Sequence, residues 1–406
     1  MSRAILPSLL AIALLPLLSA HTTCAHAQAA DATEVRYTVK LLTKDLGGTT
    51  TIGNSLNNLG WVAGRANTPG NGRRAILWRD GNPTSLGVLG TRPDTQNSLV
   101  LWPVKNTAGM ISGISHTDAI DPNGEPWSCG AFMANPGGHA CRGFVWQDGA
   151  MRELPTFGGT HGFATGTNNH GVTVGWAEFD EADATCDPAS GQKLRFSAAL
   201  WGPQPERIRE LPPLPGHTAS AATAINDSGQ AVGISGICDQ AVGRYSALEA
   251  VIWEGGVPRA IGHLPGNGWH TPNMINEAGT VVGFSNYDPA IPGEVLFPQG
   301  FLWRQATGIE AIDFIEGHDN AIAKSLNNHD QVVGQSCAGD DCRAFVWQDG
   351  RTVDLNSLRQ PGSSSDALLV SANDIDDLGR ITGYALSEGK KKNGLLVAFI
   401  ATPVDD

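Results

Sequence analysis

One phrase returns seven times along this 406-residue chain: an apolar residue, a short Asn/Asp-rich turn, and a small apolar run that closes on glycine. Its clearest copy is Ala224–Gly233, A-I-N-D-S-G-Q-A-V-G. Anchored on the closing glycine, the copies fall at Gly64, Gly113, Gly175, Gly233, Gly283, Gly334 and Gly383, at intervals of 49, 62, 58, 50, 51 and 49 residues. Length alone argues for two or three domains. Repeats of fixed period pool their cores into one body, however, so residues 28–406 read as a single domain.

Each copy carries the same local chemistry. The Asn/Asp...Gly turns supply residues that tolerate positive φ, the signature of a tight hairpin. Tryptophans at Trp78, Trp146, Trp201, Trp253, Trp303 and Trp347 then close apolar runs, and most lead into a second turn such as Gln348-Asp349-Gly350. A further short run and a Gly- or Pro-containing corner follow, so each repeat reads as four strands, a to d, with no sustained helical period. Four strands in about fifty residues make a propeller blade, and seven blades close a ring. The predicted fold is therefore all-β, a seven-bladed propeller. Its seventh repeat lacks strand d, while residues 35–41 form a strand with no blade before it. That segment is expected to complete blade seven and remove an exposed edge.

The motifs Leu46-Gly47-Gly48-Thr49, Ile225-Asn226, Val281-Val282-Gly283, Val332-Val333-Gly334 and Ala344-Phe345-Val346-Trp347 resemble those of the extracellular HAF-repeat proteins. The resemblance covers all seven repeats and implies an exported repeat protein with a propeller fold; it brings no activity. The chain departs from the family where Arg74, Arg142 and Arg343 replace the histidine before Ala-Phe, and repeat two is degenerate around Lys105–Gly109.

Compartment and charge narrow the function. Arg3, the apolar run Ile5–Leu18 and the small-x-small site Ala25-His26-Ala27 read as a signal peptide over residues 1–27, giving a secreted or periplasmic protein. No later segment is long and apolar enough for a helical span. A net charge of −13 opposes nucleic acid and anionic membranes as partners. Loss of Cys24 with the signal leaves Cys129, Cys141, Cys186, Cys238, Cys337 and Cys342, an even number without C-x-x-C spacing. Disulfides are expected, paired 129–141, 186–238 and 337–342, all within loops joining strands b and c.

The a–b and c–d turns are short and share one face of the ring. Length variation lies on the other face, in b–c loops at 116–140, 177–195 and 285–299. Variable loops on a rigid scaffold are where propellers bind and catalyse. Corners between strand d and the next strand a carry His161, His217, His270 and His318 in four consecutive blades. If they converge, they form a metal site for zinc or manganese at the channel mouth; if not, they cap corners singly. Counted back from the turn they do not share one register. Acidic loop residues His116, Asp118, Asp121, Asn123 and Glu125, with Asp180, Glu181 and Asp183, offer weaker calcium-type ligands. Trp127 and Trp269 lie in these loops and are placed to stack on a sugar ring, and Lys390–Lys392 read as a solvated hairpin tip.

No nucleophile elbow, phosphate loop or dinucleotide fingerprint is present. The reading is an exported, monomeric binding scaffold that recognises a glycan, peptide or envelope component through the loop face. The alternative is a metal-assisted polysaccharide lyase or hydrolase built on the corner histidines.

Overall fold

The computed structural model describes residues 35–404 except 44, 71, 126–128, 205, 288–296, 362–365 and 388–394. The expected signal peptide, Trp127 and Lys390–Lys392 lie outside the described residues. Strands pair into seven four-stranded antiparallel sheets, one per repeat. The innermost strands are β2 (Thr51–Leu56), β6 (Ser98–Leu99), β10 (Gly158–Thr167), β14 (Ala219–Ile225), β18 (Asn267–Ile275), β22 (Asn320–Leu326) and β26 (Leu368–Ile375). The degenerate second repeat yields the shortest of these.

The latch forms as expected. Strand β1 (Arg36–Leu41) is the fourth strand of blade seven, antiparallel to β28 (Leu396–Val404), with Arg36 opposite Val404 and Leu41 opposite Phe399. Tyr37 and Val39 face inward and are buried, while Thr38 and Lys40 alternate outward.

The anchor glycines owe their recurrence to a close approach. A Cβ on Gly64 would lie 2.0 Å from the Ile52 carbonyl oxygen, and one on Gly233 would lie 2.0 Å from that of Ala221. Strand a is bulged beside these points, between Gly53 and Ser55 and between Ala222 and Ala224. The bulge drives the inner backbone against strand b, where only glycine fits.

The turns follow the sequence chemistry. Asp80-Gly81, Asp148-Gly149 and Asp349-Gly350 hold positive φ at both residues, the two-residue hairpin geometry. The Trp of strand c is buried in blades one to six. Trp201 and Trp253 also donate from Nε1 to Pro155 O at 2.8 Å and Pro212 O at 2.7 Å, tying each to the preceding blade. Full burial of one such ring contributes on the order of 4–6 kcal/mol before entropy is subtracted.

The turn asparagines do more than set hairpins. Asn226 Oδ1 accepts the Gln230 N–H in its own turn, while Nδ2 donates to Asn276 O of the next blade at 3.0 Å. Asn57, Asn106, Asn168, Asn276 and Asn327 each donate to a carbonyl of the following blade in the same way. The repeated phrase is thus an inter-blade clamp.

All three expected cysteine pairs are disulfides. Their placement needs correction. Cys186 and Cys238 join the b–c loops of blades three and four, and Cys129 lies in the loop of blade two. Cys141, Cys337 and Cys342 lie on strands, because strands b and c of blades two and six pair further outward than the sequence indicates. Cys337 is directly opposite Cys342.

Candidate functional site

The corner histidines come first. His217, His270 and His318 each meet, through Nδ1, a serine of strand b in their own blade: Ser235 at 2.9 Å, Ser285 at 2.8 Å and Ser336 at 3.0 Å. These serines stand two residues after an anchor glycine and are fully buried. Ser235 and Ser336 also accept the corner N–H groups of Leu214 and Ile315. Each of these imidazoles is therefore pinned within its own corner. His270 additionally stacks on His263, ring centroids 5.1 Å apart, and burial together with that neighbour lowers its pKa to about 4.

His161 is placed differently. Strand β10 carries it to the boundary with blade two, where Asp121, Glu125 and His161 put ligand-type atoms within 4.8 Å of one another. Among the described residues, no group of three metal-capable side chains includes His217, His270 or His318. The structure thus brings one of the four corner histidines together with two acidic-loop residues, and does not gather the four.

The chemistry of this buried group is set by its hydrogen bonds. Cys141 N–H donates to His161 Nδ1 at 3.1 Å, so in the neutral ring the proton resides on Nε2. Nε2 lies 3.3 Å from Asp121 Oδ2, off the angle of a full hydrogen bond. Burial works to raise the Asp121 pKa, but His161 and the N–H groups of Asn123 and Glu125 outweigh it and hold it at about 2. Glu125 accepts the N–H groups of Lys193 and Leu194 at one oxygen, while Oε2 is buried without a partner. Burial and then the nearby Glu178 push the Glu125 carboxyl up. Neutral imidazole ligates a metal through an unprotonated nitrogen, and here that nitrogen is engaged by backbone. The two carboxylates could hold a cation, but His161 does not fit as its third ligand.

Two further acidic-loop residues, Asp118 and Asp183, are engaged by hydrogen bonds within the protein. Asp118 accepts from Thr91 and Thr95 and is held well below the usual carboxylate range, chiefly by Thr91. Asp183 caps the turn at Thr185. His116 is buried with neither ring nitrogen partnered, and burial, aided by His139, lowers its pKa to about 4.

The channel holds further polar residues that belong to no motif. A cavity of ≈ 240 Å³ is lined by Asn54, Trp102, Asn273, Phe284, Lys324 and Asn373, among others. Lys324 Nζ donates to Ser371 Oγ at 2.8 Å and Asn373 Oδ1 at 3.0 Å, and stands 5.9 Å from the Tyr384 ring centroid. Burial lowers its pKa to about 8. The residue immediately after each anchor glycine is the readable signal. It is Ile114, Trp176, Ile234 and Phe284 in blades two to five, but Gln335, Tyr384 and Arg65 in blades six, seven and one. The ring therefore has an aromatic side, where Trp102, Phe163 and Trp176 pack edge-on or tilted, and a polar side around Tyr384.

On the variable face a cleft of ≈ 740 Å³ between blades five and six shares Phe284 and Ile322 with this cavity. Trp269, Phe284 and Phe297 line it together with Asn286, Asp319, Asn320 and Asp340. Trp269 Nε1 is buried without an acceptor. Of the two loop tryptophans, Trp269 thus sits at this cleft.

No protein-family model matches the chain, and no curated protein matches it. The HAF-repeat resemblance therefore rests on its motifs alone, whereas the propeller is shown by the sheets themselves. Among solved structures, the chain is similar to the β-propeller domain of the Trilobed protease from Pyrococcus furiosus, at 8% identity and TM-score 0.48, over 88% of this chain and 98% of that one. It is also similar to an oligogalacturonate lyase in complex with manganese, at 11% identity and TM-score 0.47, over 91% and 97% of the two chains. Polysaccharide lyase Uly1 stands at 8% identity and TM-score 0.45, over 90% and 91%. These likenesses are loose.

Proposed function

We propose that this chain is an exported binding propeller that takes a glycan in the cleft between blades five and six. The composition of that cleft carries the reading: Trp269, Phe284 and Phe297 beside Asn286, Asn320, Asp319 and Asp340. Sugar rings offer an apolar face to aromatic side chains and hydroxyls to amides and carboxylates, and a cleft of this size accepts a few rings. The unpartnered Trp269 Nε1–H adds a donor inside the same wall. Three disulfides support an oxidising compartment outside the cytoplasm, in keeping with the leader read at residues 1–27.

The test is binding of the mature protein to a panel of soluble oligosaccharides by calorimetry, repeated with Trp269→Ala. Loss of a stacked aromatic is expected to weaken binding ~10-fold or more. A panel without any binder, or one whose binder ignores Trp269→Ala, would remove this reading.

A metal-assisted polysaccharide lyase or hydrolase is the second reading, favoured by the neighbouring buried carboxylates of Asp121 and Glu125, the latter with Oε2 unpartnered. Manganese- or calcium-dependent release of short products, abolished by Glu125→Gln, would reverse the order. The blocked His161 Nδ1 is the reason binding comes first.

A further inference from the structure

We propose that the polar side of the channel, formed by blades six, seven and one, binds the carboxylate of an acidic sugar through Lys324 and Arg65. This rests on the glycan reading above and names the class of glycan.

The chain carries 40 acidic residues against 27 basic ones, so cations elsewhere find carboxylates readily. Lys105 pairs with the buried Asp374, Arg380 with Asp376, and Arg195 with Glu210. Two of the arginines that replace the family's histidine, Arg142 and Arg343, are likewise paired, with Glu153 and Asp341. Around Tyr384 this pattern fails. Lys324 contacts only the neutral acceptors Ser371 and Asn373 beside the Tyr384 ring. The guanidinium of Arg65, a residue equivalent in its blade to Tyr384, has no hydrogen bond or ion pair among the described residues. Arg73 donates to the Phe132 carbonyl, and the third replacing arginine, Arg74, donates only to Gln96.

Uncompensated cations that crowd one another cost stability unless a ligand supplies the opposite charge. Burial is the first cause lowering Arg65 to about 10 and the neighbouring Arg73 charge the second, while the nearby Tyr384 acts in the opposite direction. Lys324 has three N–H donors and uses two on protein, which leaves one for a ligand. A guanidinium matches a planar carboxylate in two parallel hydrogen bonds, so Arg65 is suited to that geometry. Phe284 and Ile322 line both the channel cavity and the Trp269 cleft, so one molecule can stack at Trp269 while its acid group reaches Lys324. Asp319 and Asp340 lie at the cleft, not at the channel cavity, and so leave the cationic sector to the anion.

The test uses two probes of equal size, a hexuronic acid oligosaccharide and the same oligosaccharide with its carboxyls reduced to alcohols. The acidic form is expected to bind ~10-fold tighter at low salt, with the advantage shrinking as salt rises. Arg65→Gln and Lys324→Gln should each remove most of that advantage while leaving the reduced probe within about twofold. A second readout is independent of affinity: amine acylation at Lys324, followed by peptide mapping, should be slowed by the acidic probe and not by the reduced one. Equal binding of both probes, with Trp269→Ala still harmful, overturns the anion site and leaves the glycan cleft standing. Absence of binding by either probe, with Lys324 acylated equally fast throughout, overturns both. Melting temperatures of the two variants within a few degrees of the parent separate loss of a ligand contact from loss of the fold.

Discussion

Arg380 spans the seam of the ring: its Nε donates to Asp376 Oδ2 at 2.6 Å, and its Nη2 donates to Asn58 O of blade one at 3.0 Å. In the other six blades an asparagine at the Asp376 position makes the inter-blade bond itself. A carboxylate cannot donate, so Arg380 supplies the missing donor from four residues on. Arg380→Ala leaves Asp376, whose side chain is buried, without its cation and the Asn58 carbonyl without its partner. The expected cost is about 2–4 kcal/mol, read as a lower denaturation midpoint. Arg380→Lys should recover part of it.

The same chemistry in a neutral setting costs less. Asn226→Ala deletes the acceptor for Gln230 N–H and the donor to Asn276 O. A loss of about 2 kcal/mol is expected, measured by chemical denaturation, with the effect spreading to blades four and five in hydrogen exchange.

The latch can be tested by removal. Deleting residues 35–41 exposes the edge of β28 and takes away the buried Tyr37 and Val39. Each apolar side chain contributes about 2 kcal/mol, and the bare edge is a template for pairing. Self-association in size-exclusion chromatography and a lower melting temperature are the expected results; a monomer of unchanged stability would contradict the latch.

Disulfide losses should rank by the loop each closes. The 186–238 bridge closes 52 residues and the 337–342 bridge closes 5. Chain entropy then gives about 4 kcal/mol for the first and about 2 kcal/mol for the second. Cys238→Ser should therefore lower the unfolding midpoint roughly twice as far as Cys342→Ser, each made with its partner also replaced by serine.

Acid should destabilise the protein through two buried histidines before most carboxylates titrate. Burial, with His139 and His263 respectively, lowers His116 and His270 to about 4 in the folded state. Unfolded histidine titrates near ~6.5. Between these values the unfolded chain binds protons that the folded chain refuses, so stability falls as pH drops from ~6.5 towards about 4. Above that window, and below it, these groups contribute no further slope. The fall is at most about 1.4 kcal/mol per pH unit for each histidine. Denaturation midpoints at pH 7 and 4.5 should differ less in a His116→Leu/His270→Leu variant than in the parent.

The fold was largely legible because its signals are local and repeated. Asn/Asp-Gly turns, strand-c tryptophans and the surplus strand at Arg36–Leu41 each follow from short-range rules, and repetition suppressed the usual ambiguity. The candidate site was legible only in part. Trp269 stands out by its corner position, and it lines the cleft between blades five and six. Lys324 stayed hidden because it sits within an ordinary strand, Ala323-Lys324-Ser325, with no motif around it. The residue after each anchor glycine carries the polar side in the sequence, as Arg65, Gln335 and Tyr384.

The sequence by itself determined the number of blades, the strand order within them, the closing strand and the cysteine partners. Those depend on turn chemistry, on spacing and on which segments lie in equivalent loops. Tertiary structure alone decided where the imidazoles point. His161 turns to Asp121 across a blade boundary, whereas His217, His270 and His318 turn to serines of their own blades. A side chain's partner depends on the few ångströms between neighbouring sheets, and those are set by the packing of the whole ring.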